Sequence, residues 1–340
     1  MLKRIISILF LLIIGSCVKV KTSSTPKLNS KPILIVQQDT IERFIDSISI
    51  KNLQTHLKYL SSDNLKGRKT GEPGHWESLE YISNYYKSKQ IKSFDSTYYQ
   101  FIPEKYLPRK VDSTANVIAF IKGKTKPEEF VIVSGHSDHL GIKKREIYNG
   151  ADDNASGTSA IMEIARLFKM AENKGIKSKR SVVFCHFTAE EIGKGGSKFF
   201  VENETVPIKN MIADINIDMI GRVDNRHENG DYIYIIGADR VSLDFEITIK
   251  SVNETFTGLN LDESYDAPND PNRYFYRSDQ FHFAKQNIPV VFFFSGTHKD
   301  YHRPSDTEDK IDYNTLRRRT QLIFATTWQL ANQPESFKLD

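Results

Sequence analysis

Residues 130–171 read FVIVSGHSDHLGIKKREIYNGADDNASGTSAIMEIARLFKMA. The apolar, β-branched run 130–133 has the length of a buried strand. It stops at His136-Ser137-Asp138. After a loop, Gly150-Ala151-Asp152-Asp153-Asn154 leads through small residues into a helix with Ile161, Ile164, Ala165 and Phe168 on one face. A histidine and several acids thus sit where a strand ends and a helix begins, the edge of an open α/β sheet at which ligands bind.

Three more apolar runs repeat the arrangement. Residues 181–187 (SVVFCHF) run into Thr188-Ala189-Glu190-Glu191, 211–217 (MIADINI) into Asp218, and 289–294 (PVVFFF) towards Tyr301-His302-Arg303-Pro304. Four strand ends therefore deliver His136, Asp153, Glu190, Glu191, Asp218 and His302, a mixture of imidazole and carboxylate that suits zinc. His136 and Asp138 are two apart, so an extended backbone points them the same way. Asp138 is then placed to take the second ring N–H of a metal-bound His136. Asp153 alone would serve equally well as a helix N-cap. Adjacent Glu190 and Glu191 cannot face one point from a regular strand, but they can divide at a turn. Asp218 closes a buried strand, where a carboxylate is costly unless paired or metal-bound. Strands that alternate with helices imply parallel crossovers. The expected fold is α/β, with a mixed, mostly parallel sheet and helices on both faces.

Taken in order, HSD, GADDNASG, AEE, IDMIG and YHRPSD closely resemble the co-catalytic zinc aminopeptidase family, which includes aminopeptidase Y and bacterial leucyl aminopeptidases. Glutamate carboxypeptidases and, more distantly, glutaminyl cyclases look like relatives. The resemblance runs over residues 50–330 and implies a three-layer α/β/α sandwich of the zinc exopeptidase type. It also implies two Zn²⁺ ions per chain. His136 and Asp218 would hold one, Glu191 and His302 the other, and Asp153 would bridge them. Glu190 would stay free as general base, and His139 lies outside the pattern. The chemistry implied is release of N-terminal residues from peptides by a hydroxide shared between the ions. The four positive charges of two Zn²⁺ ions balance three carboxylates and one hydroxide, which favours a pair over a single ion.

Other activities on the same fold stay open. A carboxypeptidase would need an arginine for the substrate carboxylate, with Arg222, Arg273, Arg277 and Arg303 as candidates. A glutaminyl cyclase-like acyltransferase would hold comparable residues around one zinc. A non-catalytic binding module would normally have lost ligands or the base. One departure stands out: Ser278-Asp279-Gln280 occupies a place where many relatives show Ser-Asp-His, and glutamine cannot titrate.

The 340 residues carry 47 Lys+Arg and 43 Asp+Glu, a net charge of +4 without a basic block, so no nucleic-acid partner is expected. Two cysteines make no disulfide framework. Cys185 lies in an apolar strand as a small core residue. At the N-terminus, Lys3 and Arg4 precede an apolar run 5–14, shorter than the roughly 20 residues that span a bilayer and typical of a secretory signal. Ile14-Gly15-Ser16-Cys17 resembles a bacterial lipobox, which implies cleavage before Cys17 and a lipid on its thiol. The expected organisation is a lipoprotein signal peptide over 1–16, a flexible tether over 17–40 and a single zinc peptidase domain over 41–335. The protein would be exported and lipid-anchored on the periplasmic or cell-surface side of a bacterial membrane. Nothing in the chain indicates an oligomeric state.

Further elements follow from local pattern. Leu53, Leu57 and Leu60 mark a helical face within 41–60. The segment SSDNLKGR, 61–68, breaks it and resembles a structural entry segment of the family. Residues 71–74 read as a loop and 77–89 as a helix with Leu79, Ile82 and Tyr86 inward. Runs 116–121 and 130–133, joined by a Gly- and Pro-bearing turn, read as an antiparallel hairpin. A strand over 231–237, a helix over 243–252 and a closing helix over 313–330 are expected. Residues 255–277 read as a polar loop, long enough to be functional.

Overall fold

Apolar runs with no polar alternation can pair only where both faces of a sheet are covered, and here they do. A computed structural model describes residues 33–108, 111–337 and 339. The expected signal segment, Cys17 and most of the expected tether lie outside the described residues. The strands are β1 (Lys92–Ser93), β2 (Tyr99–Phe101), β3 (Ala115–Ile121), β4 (Lys126–His136), β5 (Gly141–Lys143), β6 (Glu146–Tyr148), β7 (Arg180–Phe187), β8 (Met211–Ile217), β9 (Tyr232–Ile236), β10 (Asn260–Asp262) and β11 (Val290–Phe294). The helices are α1 (Gln38–Ile45), α2 (Ile50–Leu60), α3 (Pro73–Ser88), α4 (Gly157–Asn173), α5 (Gly195–Glu202), α6 (Leu243–Phe256), α7 (Gln280–Ala284) and α8 (Tyr313–Asn332).

Nine strands form one sheet in the order β1-β3-β7-β4-β8-β11-β9-β10, with β2 also on β3. Neighbours β7, β4, β8 and β11 run parallel, while β3 and β9 join this block antiparallel. Alternate residues face opposite ways. Val131 and Val133 pack with α2, α4 and α8 through Leu53, Ile164, Phe168 and Trp328. Phe130 and Ile132 pack on the other face with Phe200 of α5 and Phe283 of α7. The result is the expected three-layer α/β/α sandwich with a mixed, mostly parallel sheet.

Four local expectations change. The pair β3 and β4 is not a hairpin, because β7 lies between them, antiparallel to β3 and parallel to β4. The connecting turn passes over the start of β7, where the N–H groups of Lys124 and Lys126 donate to the carbonyls of Ser178 and Lys179. The helical stretch from 41 divides into α1 and α2, and α1 begins inside the expected tether. Ser49 Oγ caps α2 by accepting from the Asn52 N–H at 3.2 Å. Helix α3 starts at Pro73, a position where proline fits the first turn. The stretch 255–277 contains β10 and a short helical turn at Tyr274–Tyr276.

Candidate metal centre

Parallel alignment puts the carboxyl ends of β4, β7, β8 and β11 on one edge of the sheet, and the acid- and imidazole-bearing turns leave from that edge. His136 ends β4 and is 1% exposed. Its Nε2 lies 3.2 Å from Asp153 Oδ1 and 3.3 Å from Asp218 Oδ1. On the other side of the same carboxylate, His302 Nε2 lies 3.1 Å from Asp153 Oδ2 and 3.3 Å from Glu191 Oε2. Asp153 thus offers one oxygen to each of two groups. Ligands about 2.0–2.1 Å from a tetrahedral zinc stand about 3.3 Å from one another. The measured separations fit that spacing on both sides.

His139 joins the second group. Its Nδ1 approaches Glu191 Oε1 at 2.7 Å and Asp153 Oδ2 at 3.7 Å. The 2.7 Å pair lacks hydrogen-bond alignment, and both ring nitrogens and Glu191 Oε1 are buried without a hydrogen-bond partner among the described residues. Buried polar atoms left this way call for an ion or a water. His139 lies outside the family pattern that the sequence resembles. Its one local sign was a second imidazole three residues beyond the first, at the same strand end.

The carboxylate of Asp138 does not orient His136. His136 Nδ1 meets the backbone carbonyl of Asp138 at 3.0 Å, whereas the carboxylate oxygen is 3.9 Å away. The chain leaves the strand geometry at that point, so the two-residue rule no longer aims the side chain. Asp138 instead accepts from Thr70 Oγ1 at 2.6 Å and from the Glu190 N–H at 3.2 Å, tying the β4 end to the β7 end. Glu190 and Glu191 do divide at their turn, which Ala189 enters in the left-handed region (φ 60°). Met219, just after Asp218, and His302 itself share that conformation, both with φ 54°. Non-glycine residues held there cluster at functional sites.

Charge distribution follows the geometry. Burial lowers the His136 pKa, but the Asp218 and Asp153 carboxylates raise it well above its ordinary value. Burial works the same way on His302, which Asp153 and Glu191 bring up to about 10. Burial and Asp153 would raise Glu191, yet His139 and His302 hold it down at about 2. Glu190 is the opposite case: burial, with Asp279, Glu191 and Asp218 nearby, pushes its carboxyl well above the usual range.

A buried scaffold holds these turns together. Arg68, 1% exposed, donates to the carbonyls of Leu60, Ser137, Asn149 and Gly150, clamping the β4 end to the start of the Asp153 turn. Gly150 has φ 57°, and a Cβ there would collide with the His139 ring and the Asp153 carbonyl. Asp152 accepts from the Gly221 N–H at 2.6 Å, and its other oxygen lies 3.2 Å from His298 Nε2. Asp306 accepts from the N–H groups of Asp152 and Asp153. Asn154 Oδ1 accepts from the N–H groups of Gly157 and Met219, so the first N–H of α4 is met by Asn154 and not by Asp153. Behind Asp218, Ser278 Oγ donates to its Oδ2 at 2.9 Å and accepts from Asn216 Nδ2. Gln280 accepts from Asn216 and donates to the Phe275 carbonyl, a buried brace that needs no titration.

The cluster opens into a cavity of about 300 Å³ lined by Asp153, Glu190, Glu191, Asp218, Tyr301 and His302, with Tyr274, Phe292, Phe294, Lys194 and Arg277 completing the wall. Tyr301 stacks on His302 with ring centroids 3.9 Å apart. Of the four arginines considered for a substrate carboxylate, Arg277 lines this cavity, and Arg222 is engaged with Asp300 at 3.0 Å.

A profile of peptidase family M28 matches residues 116–327. The chain belongs to peptidase family M28. Leucine aminopeptidase 2 of Arthroderma otae is 26% identical over 246 residues, which make up 66% of this M28 chain and 46% of that protein. A probable glutamate carboxypeptidase of Arabidopsis thaliana is 35% identical over 104 residues, 30% of this chain and 14% of that protein. The M28 chain therefore spans less than half the length of these curated relatives. Among solved structures, the LapA aminopeptidase of Legionella pneumophila superposes with a TM-score of 0.70 at 20% identity, covering 93% of this chain and 80% of that one. That likeness is one of fold.

Proposed function

We propose that this M28 chain is a zinc-dependent exopeptidase that removes N-terminal residues from peptides and works with two zinc ions. The observation that carries the reading is the Asp153 carboxylate, with one oxygen turned to His136 and Asp218 and the other to His302 and Glu191. His136, Asp218 and Asp153 would hold one ion; His302, Glu191 and Asp153 would hold the other, with His139 beside it. Zinc, when bound, supplies a Lewis acid for the scissile carbonyl and brings the pKa of water towards about 7.

The chain's own groups do the rest. Glu190 faces the cavity with no side-chain partner among the described residues and takes the proton of the attacking water, then returns it to the leaving amine. Asp138 works at one remove, holding the Glu190 backbone against the end of β4. The apolar wall of Phe292, Phe294 and Tyr274 excludes water from the substrate side chain. The export signal and the lipid on Cys17 belong to the same proposal, with the catalytic domain tethered outside the cytoplasm.

Zinc analysis together with an aminoacyl-anilide panel, with and without chelator, tests the reading. Two zinc ions per chain and chelator-sensitive release of the anilide are expected. Activity that survives complete removal of metal would refute it. Asp153→Asn keeps one ligand oxygen and should lose both ions; full zinc content in that variant would remove the bridge from the argument.

A further inference from the structure

The cavity beside the cluster carries two cations that no carboxylate neutralises. Lys194 and Arg277 both line it, and among the described residues neither makes an ion pair or a side-chain hydrogen bond. The backbone of the first and the side chain of the second are positioned. Lys194 sits in the left-handed region (φ 59°) just before α5, with its N–H on the Glu190 carbonyl. Arg277 lies over the ring of Tyr274, 5.0 Å from its centroid. Three acids of the same cavity are otherwise engaged: Asp153 and Glu191 face imidazoles, and Asp218 faces His136 and the Ser278 hydroxyl, so that among the described lining residues Glu190 alone stands against the two cations. Zinc bound among those acids would cancel their charge and leave the two cations dominant. The basic character extends outward. Lys198 and Lys285 stand with Lys194 around His282, where burial and these three ammonium groups lower the imidazole to about 4.

We infer that the cavity selects peptides that present a carboxylate, from an acidic side chain or from the free C-terminus of a short peptide, to Lys194 and Arg277. This rests on the exopeptidase reading and adds the substrate class to it. The physical reason is complementarity: a group of opposite charge is favoured in a cleft with low-dielectric walls, and the surrounding lysines raise its local concentration. Phe292 and Phe294 supply the apolar floor for the aliphatic part of the same residue.

Four dipeptide probes decide it, hydrolysed by the full, zinc-loaded chain. Leu-Leu against Leu-Leu-amide reads the C-terminal carboxylate. Glu-Leu-amide against Gln-Leu-amide reads the side-chain carboxylate. In at least one pair, kcat/KM should favour the anion by about tenfold, the scale of two half-exposed ion pairs, and the ratio should shrink as salt is added. The double variant Lys194→Gln/Arg277→Gln should bring that ratio close to one, mainly through KM. Equal turnover of anionic and neutral probes would overturn the inference and leave the exopeptidase reading standing. A preference that survives the double variant would overturn it too. No turnover of any probe would sink the exopeptidase reading, and the inference with it. The wild-type ratios and their salt dependence stand without the variant, should it fail to fold.

Discussion

His139 Nδ1 lies 2.7 Å from Glu191 Oε1, nearer than either contact His302 makes with Asp153 or Glu191. The two atoms meet without hydrogen-bond alignment, and among the described residues neither ring nitrogen has another hydrogen-bond partner. They are donors poised for a cation and not for each other. His139→Ala should therefore weaken the second zinc site by about 10–100-fold, the usual cost of losing a group that supports a ligand. Competition with a chromogenic chelator measures it. Unchanged affinity at both sites would make His139 a bystander.

Glu190→Gln keeps size and polarity and removes the proton carrier. Turnover should fall by about 10²–10⁴-fold, while zinc content stays at the wild-type level because no ligand has changed. A variant that turns over normally with both ions in place would show that another group moves the proton.

Three buried histidines make the fold acid-sensitive. Burial is the first cause of low pKa values at His56, about 4, and at His75 and His186, both about 3. In the unfolded chain each titrates near 6.5. A depressed folded pKa means the contribution is complete above the unfolded value and is lost as pH falls from about 6.5 towards the folded values. Each proton taken up only by the unfolded state costs about 1.4 kcal/mol per pH unit in that window. Urea midpoints from pH 7 to 4 should fall less steeply for His56→Gln/His186→Gln than for wild type. Parallel curves would rule the histidines out as the cause.

Arg68→Met should cost at least about 3 kcal/mol, because four buried carbonyls lose their common donor. The same change loosens the Ser137 and Gly150 ends of the site, so zinc affinity should drop with it. Denaturant midpoints and zinc titration on one sample check both; a variant of wild-type stability would contradict the clamp.

The Cys17 proposal is read in cells. Labelled fatty acid should be incorporated into the wild-type protein and not into Cys17→Ser, and the variant should leave the membrane fraction. Unlabelled wild-type protein would end the lipoprotein reading.

The site was legible in the chain to the extent that its parts are local. His136, Glu191 and Asp218 each follow an apolar run that announces a buried strand, and His302 follows another at a short distance. The aim of the Asp138 side chain is not legible, because it depends on where β4 stops, and the strand rule fails one residue past His136. The contacts of His139 are illegible for a different reason: what it touches lies on other turns, as do the carbonyls that Arg68 of the structural entry segment clamps. Gln280 looked like a lost histidine, and its amide proves to brace Asn216 against the Phe275 carbonyl.

By itself the sequence determined the layers and the edge where chemistry gathers, since run length, side-chain period and turn residues act between near neighbours along the chain. Only the tertiary structure decided that β7 separates β3 from β4, that Asp153 divides its two oxygens between His136 and His302, and that Lys194 and Arg277 share their cavity. Those facts depend on which strand lies beside which. Strand order is settled by burying both faces of one sheet at once, a condition no single stretch of residues can express.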